Sequence, residues 1–299
     1  MVETTVVLVT GCTQGGIGYS ICKAFAQRPA FHVYATARKI ENMNGLEECN
    51  KLALDITDSQ AISSTIIEKE GHIDILFNNA GIPAVGAFLD VDLDYARTCM
   101  ETNVFGPLSL ARAVAPLMAK RGRGKIVNVG SVAAYGQMPW ASVYAMTKSA
   151  LHNMSDVLRL ELKPFGVSVT VVAPGAITSN IGKASVHSIV LPPDSLYSSV
   201  AQIIQRRATM SQGKKDNKEN SFITSQLTSS LSSGPHSTPT DTFADTVVTK
   251  VLQDHPPAYI TFGTSSFKFW LMYYIPTFLR DYLYYTQFGL DQVKPVKVE

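Results

Sequence analysis

The feature that most constrains this chain is a steady exchange of two hydrophobic rhythms along its first two thirds. Short runs rich in Val, Ile and Leu, at 6–10, 32–35, 51–54, 74–77, 125–129 and 168–172, read as strands buried on both faces. Between them, segments 19–26, 59–70, 93–120 and 143–163 carry apolar residues at helical spacing. Strands that alternate with helices this way pair in parallel through crossovers. The expected fold class is therefore α/β, a doubly wound parallel sheet of the Rossmann type with helices on both faces. Ligands in such folds bind beyond the carboxyl ends of the strands, so the loops after each strand hold the candidate site.

The first such loop is glycine-rich. Thr10-Gly11-Cys12-Thr13-Gln14-Gly15-Gly16-Ile17-Gly18 leaves the first strand and opens the first helix. Glycines let a backbone turn tightly and approach a pyrophosphate, which then rests on the free N–H groups of the helix N-terminus. The second strand runs into Arg38 with no acid before Glu41. An acid at this place holds the ribose 2′-hydroxyl of NAD, whereas an arginine favours the 2′-phosphate of NADP, so NADP(H) is the expected cofactor.

Tyr144 and Lys148 lie one helical turn apart and share a helix face. Reducing a ketone leaves an alkoxide that needs a proton donor in place. A free tyrosine, with a pKa near 10, is a sluggish one. A neighbouring ammonium stabilises tyrosinate and brings the phenol into range. Ser131, in the loop after the fifth strand, can hold the substrate oxygen beside the phenol.

These stretches, together with Asn78-Asn79-Ala80-Gly81, Asn103 and Pro174-Gly175 followed by Ile177 and Thr178, resemble the short-chain dehydrogenase/reductase family over roughly residues 5–180. The resemblance implies that Tyr144 is the general acid/base, that Ser131 orients the carbonyl, and that Lys148 binds the nicotinamide ribose and lowers the Tyr144 pKa. It implies that Asn103 holds a water linking Lys148 to solvent. The cofactor would be held by Gly11, Gly16, Ile17, Gly18, Arg38, Asp55, Asn79, Ala80, Tyr144, Lys148, Pro174, Gly175, Ile177 and Thr178, with Asp55 meeting the adenine. One departure is visible. The family's glycine loop is a residue shorter, which leaves the part played by each glycine open. Dimers or tetramers through helices 93–120 and 143–163 are a further expectation from the resemblance.

With 299 residues, one large domain suffices. The expected organisation is a dinucleotide-binding catalytic domain at 1–265, with a substrate lid and flexible insertion at 178–242, and an aromatic-rich tail at 266–299. Residues 211–242 turn to Ser, Thr, Lys, Asn and Gly, too polar to offset their ordering entropy by burial. A net charge of +2, without a basic stripe, argues against nucleic acid as a partner. Cys12, Cys22, Cys49 and Cys99 show no metal-ligand spacing, so no metal is expected, and an intracellular reducing setting is. The opening residues lack the basic start and cleavage site of a secretory leader.

In the lid, Arg206, Arg207, Lys214 and Lys215 read as a solvated face, with contact to an anionic substrate group as the alternative. The tail 267–290 is dense in Phe, Tyr, Trp and Leu, yet its apolar run falls short of the ~20 residues of a membrane span and Pro276 interrupts it. Two readings stay open: an in-plane anchor at a membrane surface, and a helix packed over the substrate pocket. The lid, the tail and the glycine loop are similar to a fungal subgroup of the family, the NADPH-dependent 1-acyldihydroxyacetone-phosphate reductases. That likeness implies reduction of a lipid ketone at the endoplasmic reticulum or lipid droplets. Relatives in the subgroup act on steroids, retinoids and natural-product ketones, the alternative reading. A non-catalytic NADP-sensing module is disfavoured because all four catalytic positions are filled.

Overall fold

The computed structural model describes residues 4–58, 66–136, 138–181, 185, 189, 191–210 and 237–293, apart from the side chains of 206–210. Seven strands form one sheet: β1 (Thr5–Val9), β2 (Phe31–Ala37), β3 (Asn50–Ala53), β4 (Ile75–Asn78), β5 (Gly124–Val129), β6 (Val167–Pro174) and β7 (Tyr259–Phe262). Every pairing is parallel and the spatial order is β3-β2-β1-β4-β5-β6-β7. The six expected strands are present within two residues of their expected bounds. The seventh follows the insertion and was not foreseen.

Side chains alternate along each strand, so each feeds two cores. Val7 and Val9 of β1 join one cluster with Ile21 and Phe25 of α1 (Ile17–Ala26). Val6 and Leu8 join the other, with Leu110, Val114 and Met118. The register sets Val7 beside Val33 on one side and Ile75 on the other, which keeps each core layer continuous across the sheet.

Segment 93–120 is a correction to the single expected helix. Helix α2 (Leu93–Met100) passes through a π-helical segment, Glu101–Phe105, into α3 (Gly106–Arg121). The wider π turn rotates the helix face by about one residue, which periodicity over the whole segment conceals. Helix α4 (Ser142–Leu162) crosses from β5 to β6. Residues 66–70 are helical, and the remainder of the expected helix 59–70 lies outside the described residues.

Beyond β6 come α5 (Ala201–Met210), α6 (Thr240–Val251), and the two tail helices α7 (Ser266–Tyr274) and α8 (Thr277–Gln287). Helix α6 buries Phe243, Val247 and Val251 in the cluster that holds α1, covering the same face of the sheet. Thr240–Thr242, expected in the flexible insertion, instead form its first turn, while 211–236 lie outside the described residues. Pro276 sits at the N-cap of α8 and separates the tail helices, as its missing N–H and fixed φ require.

Candidate active site

A cavity of about 640 Å³ lies along the carboxyl edge of the sheet, where the strand order reverses between β1 and β4. One end touches Arg38 and Asp55, the middle Tyr144 and Lys148, and the far end Phe269 and Phe288 of the tail.

The loop after β1 is shaped by contacts that exclude side chains. Gly11 has φ +72°, and a Cβ there would stand 2.7 Å from the Ala80 Cα. At Gly18 a Cβ would stand 2.8 Å from the Gly11 carbonyl oxygen and closer still to Asn79. Asn79 itself donates to the carbonyls of Thr10 (2.8 Å) and Gly11 (3.1 Å), tying this loop to the end of β4. Gly16 is the N-cap of α1 and brings no side-chain cap, and Gly16 and Ile17 both border the cavity. A helix N-terminus left uncapped by its own residues, at the floor of a cavity, suits a pyrophosphate. In the same loop Gly15 takes φ +78° and lies against Asn180.

At the neighbouring end, Asp55 accepts from the Thr57 N–H (3.0 Å) and hydroxyl (2.7 Å). The backbone bond first, then the hydroxyl, holds its carboxyl below the ordinary range, so it stays an anion. Exposed Arg38 flanks it from the end of β2.

The catalytic-type residues come from three elements held by a buried polar chain. Asn78 of β4 donates to Asn128 of β5 (2.8 Å), and Asn128 donates to Ser155 of α4 (2.8 Å). These bonds tie the two strands and α4 together, although the buried Asn78 Oδ1 has no hydrogen-bond partner among the described residues. On α4, the Lys148 ammonium lies 5.7 Å from the Tyr144 ring centre and donates to the Val129 carbonyl at 2.9 Å. Burial alone pushes the Lys148 ammonium down to about 8. Ser131 N-caps the turn after β5, its hydroxyl accepting from the Ala133 N–H at 3.1 Å. Asn103 sits in the π segment, fully buried. It accepts from the Ile82 N–H (2.8 Å) and donates to the Ile82 carbonyl (2.9 Å) and to Thr147 (3.0 Å). Gly81 leaves room for this, since a Cβ there would lie 3.1 Å from Asn103 Oδ1 and 3.5 Å from Lys148 Nζ.

An oxygen-binding hydroxyl, a phenol and a buried cation beside a nucleotide-shaped groove can move a proton and a hydride to one carbonyl carbon and oxygen. The comparisons agree with this chemistry. A family model described as short chain dehydrogenase matches residues 5–189. The chain belongs to the short-chain dehydrogenase family. It is an oxidoreductase acting on CH–OH and C=O groups with a nicotinamide cofactor.

This dehydrogenase is 35% identical over 286 residues to the short-chain dehydrogenase ptmH of Penicillium ochrochloron, covering 93% of its own length and 96% of that relative. It is 34% identical over 202 residues to the NADPH-dependent 1-acyldihydroxyacetone phosphate reductase of Schizosaccharomyces pombe, covering 64% and 67% of the two chains. Among solved structures, a short-chain dehydrogenase from Streptomyces avermitilis superposes with a TM-score of 0.69 at 27% identity, over 91% of this chain and 92% of that one. A metagenomic short-chain oxidoreductase in complex with NADP gives 0.56 at 26% identity, over 64% and 97%.

Most residues singled out from the sequence border the cavity: Gly11, Gly16, Ile17, Arg38, Asp55, Asn79, Ala80, Ser131, Tyr144, Lys148, Pro174, Gly175 and Ile177. Three do not. Gly18 packs beneath Asn79, and Asn103 stands behind Gly81 and Lys148. Thr178 pairs its N–H with the Thr238 carbonyl at 3.1 Å, outside the lining. Pro174 and Gly175 close the cavity from β6, and the tight approach of Gly175 to the Thr264 carbonyl (2.3 Å from a Cβ placed there) excludes a larger residue.

For the far wall the sequence left two readings of the tail open and named none of the wall residues. Phe269, Tyr284 and Phe288 of the tail pack with Val132, Ala133, Met138 and Trp140 in one cluster, and several of these line the cavity. The Trp140 indole donates to the Phe288 carbonyl at 3.1 Å, fastening the tail to the loop after β5. The inner face of the tail is thus a pocket wall, as the second of the two open readings had it. Its outer face exposes Phe267, Trp270, Tyr274, Phe278 and Tyr282. Of the expected lid and insertion at 178–242, only part is described, and the Arg206 and Arg207 side chains and Lys214 and Lys215 lie outside the described residues.

Proposed function

We propose that this dehydrogenase reduces an uncharged, hydrophobic ketone with NADPH. The observation that carries the reading is the character of the cavity around Tyr144. Lys148 and Ser131 line it together with the tail's aromatic Phe269, Tyr284 and Phe288. Among the described lining residues the only cations are Arg38, at the adenosine end, and Lys148. Burying a ketone's apolar body against Met138, Phe269 and Phe288 supplies affinity, and the few polar groups fix its carbonyl.

The residues present fit a nicotinamide dinucleotide: an uncapped helix N-terminus, glycines with no room for a Cβ, and an anionic Asp55 near one end. When bound, it supplies the hydride. Tyr144 gives its phenolic proton to the substrate oxygen, and Ser131 donates a hydrogen bond to the same oxygen. Lys148 keeps a positive charge beside Tyr144, favouring the phenolate left behind. Asn103, fixed by Ile82 and Thr147, anchors the water that reconnects Lys148 to solvent. Arg38, with no acid at the end of β2, favours the 2′-phosphate of NADPH. The cofactors in the names of the Schizosaccharomyces pombe relative and of the metagenomic complex support the same choice.

A second reading, reduction of 1-acyldihydroxyacetone phosphate, rests on the Schizosaccharomyces pombe relative. It needs a cation to meet the substrate phosphate, a part that Arg206, Arg207, Lys214 or Lys215 would have to play. The first reading is favoured because Arg38 and Lys148 are the only cations among the described lining residues, and both are assigned, to the cofactor and to Tyr144.

Following NADPH absorbance with purified protein separates them. Turnover of steroid or polyketide ketones, with little on 1-acyldihydroxyacetone phosphate, supports the uncharged substrate. The reverse result assigns the lipid phosphate, and silence on every carbonyl despite tight NADPH binding leaves a sensing module.

The exposed aromatic face of α7 and α8 supports contact with a membrane interface, such as the cytoplasmic face of the endoplasmic reticulum or a lipid droplet. No helix among the described residues is long and apolar enough to cross a membrane. Co-sedimentation with phospholipid vesicles that is lost in a Phe267→Ser, Trp270→Ser, Phe278→Ser variant is the expected result.

A further inference from the structure

Helix α4 presents Tyr144, Lys148 and His152 at successive turns of one face. The first two border the cavity, while His152 lies one turn deeper, 6% exposed, behind the loop that carries Ser131. The β5 strand ends at Val129. Gly130 still donates to Val172 of β6 at 2.7 Å, but the next N–H, that of Ser131, is taken by the His152 imidazole Nε2 at 3.3 Å. The ring comes so near that a Cβ on Gly130 would lie 2.0 Å from Nε2. Gly130 is what admits it.

We infer that His152 is a positioning residue for the reduction: its imidazole holds the Ser131 peptide, and through it sets where the Ser131 hydroxyl stands relative to Tyr144. This rests on the reading of Ser131 and Tyr144 given above and adds a residue to it.

Three elements fix the ring. It belongs to α4. Tyr135, in the turn that Ser131 caps, meets it edge-on at 5.4 Å, and Tyr259 of β7 does so at 5.7 Å. Tyr259 is itself held by its hydroxyl donating to Asp156 at 2.8 Å, and the Tyr135 hydroxyl pairs with that of Thr261 at 3.2 Å. Accepting a backbone N–H requires a bare Nε2, which puts the imidazole proton on Nδ1. Burial first and the Lys148 charge second push His152 down to about 4, against an opposing pull from Asp156, so the acceptor persists across neutral pH. Without it, the Ser131 N–H at the cavity wall loses its partner and the peptide is free to rotate, carrying the hydroxyl with it. The sequence held a signal of this: a histidine at the next turn of the Tyr144/Lys148 face.

The test uses the full chain with saturating NADPH and the best ketone found for the wild type. His152→Leu keeps bulk and removes the acceptor. Its kcat is expected to fall roughly 10- to 100-fold, the size of effect a misplaced catalytic group produces, while the KM for NADPH stays within about twofold. His152→Gln, whose amide oxygen can accept the same N–H, is expected to recover to within about fivefold of wild type. His152→Asn, polar but too short to reach, should resemble Leu and stands in for it should Leu not fold. An unchanged kcat in the Leu or Asn variant overturns the inference. So does a folded Gln variant as slow as the others, or a KM for NADPH that rises in step with the loss of kcat. Wild-type protein silent on every ketone removes the underlying reading and this one together, whereas an active wild type with an unaffected Leu variant removes this one alone.

Discussion

The two ends of the cavity are built on opposite principles. At the cofactor end the shape is made by backbone: Gly11 against Ala80, Gly18 against the Gly11 carbonyl, Gly16 at the open end of α1. At the substrate end it is made by side chains, with Phe269, Tyr284 and Phe288 of the tail facing Val132, Ala133 and Met138 across a long stretch of sequence. Backbone contacts within van der Waals distance admit one residue type at each place, and that residue leaves a visible mark in the chain. An apolar wall can be filled by many combinations of about the right volume. One end is therefore rigid and generic, and the other adaptable and specific.

The sharpest way to break this contrast is Gly11→Ala. The new Cβ meets the Ala80 backbone at 2.7 Å in a left-handed conformation, so the cradle must open. NADPH binding, measured by fluorescence titration, is expected to weaken on the order of 100-fold. Binding within a few-fold of wild type would mean that the loop is not held as described. Next in size is Arg38→Glu, which replaces the cation at the end of β2 with the acid that suits a free ribose hydroxyl. The ratio of kcat/KM for NADPH over NADH should drop by at least about tenfold. No change in the ratio would place the 2′-phosphate elsewhere.

Phe288→Ala probes the other end. It removes a wall residue that is 7% exposed, at a stability cost of about 3 kcal/mol. The expected signature is a KM for the ketone raised roughly fivefold, with NADPH affinity unchanged. Equal damage to both would show the two ends to be coupled.

The smallest effect near neutrality is that of pH. Lys148, lowered to about 8 by burial, carries its charge below that value and loses it as pH rises through it. Reduction, which uses that charge, should hold steady across neutral pH and decline above about 8. A profile flat to pH 10 would contradict the burial of this ammonium.

The contrast also explains what could be read in the sequence. Strands buried on both faces leave unbroken Val and Ile runs, and the glycine loop, Tyr144/Lys148 and Asn79 leave short motifs, so the sheet and the residues that gather along this part of the cavity were legible. Strand β7 was not. Its four residues, Tyr-Ile-Thr-Phe, carry no alternation that separates them from a loop, and they reach the sheet only because α6 first covers the face beside α1. The π segment was hidden because helical spacing continues on both sides of it. The tail was ambiguous for a physical reason. Its apolar and aromatic residues serve equally to fill a pocket wall and to meet a membrane surface, and the structure turns Phe269 and Tyr284 inward while leaving Trp270 and Phe278 out.

The most direct test of the central claim is to measure NADPH binding and ketone-dependent NADPH oxidation side by side in wild type and Tyr144→Phe. The expected result is tight NADPH binding in both, turnover in the wild type, and a loss of roughly 1,000-fold in kcat in the variant, which keeps the ring beside Lys148 but has no proton to give. A Tyr144→Phe protein that reduces the same ketone at near wild-type rate would contradict the assignment of the proton donor and, with it, the proposed mechanism.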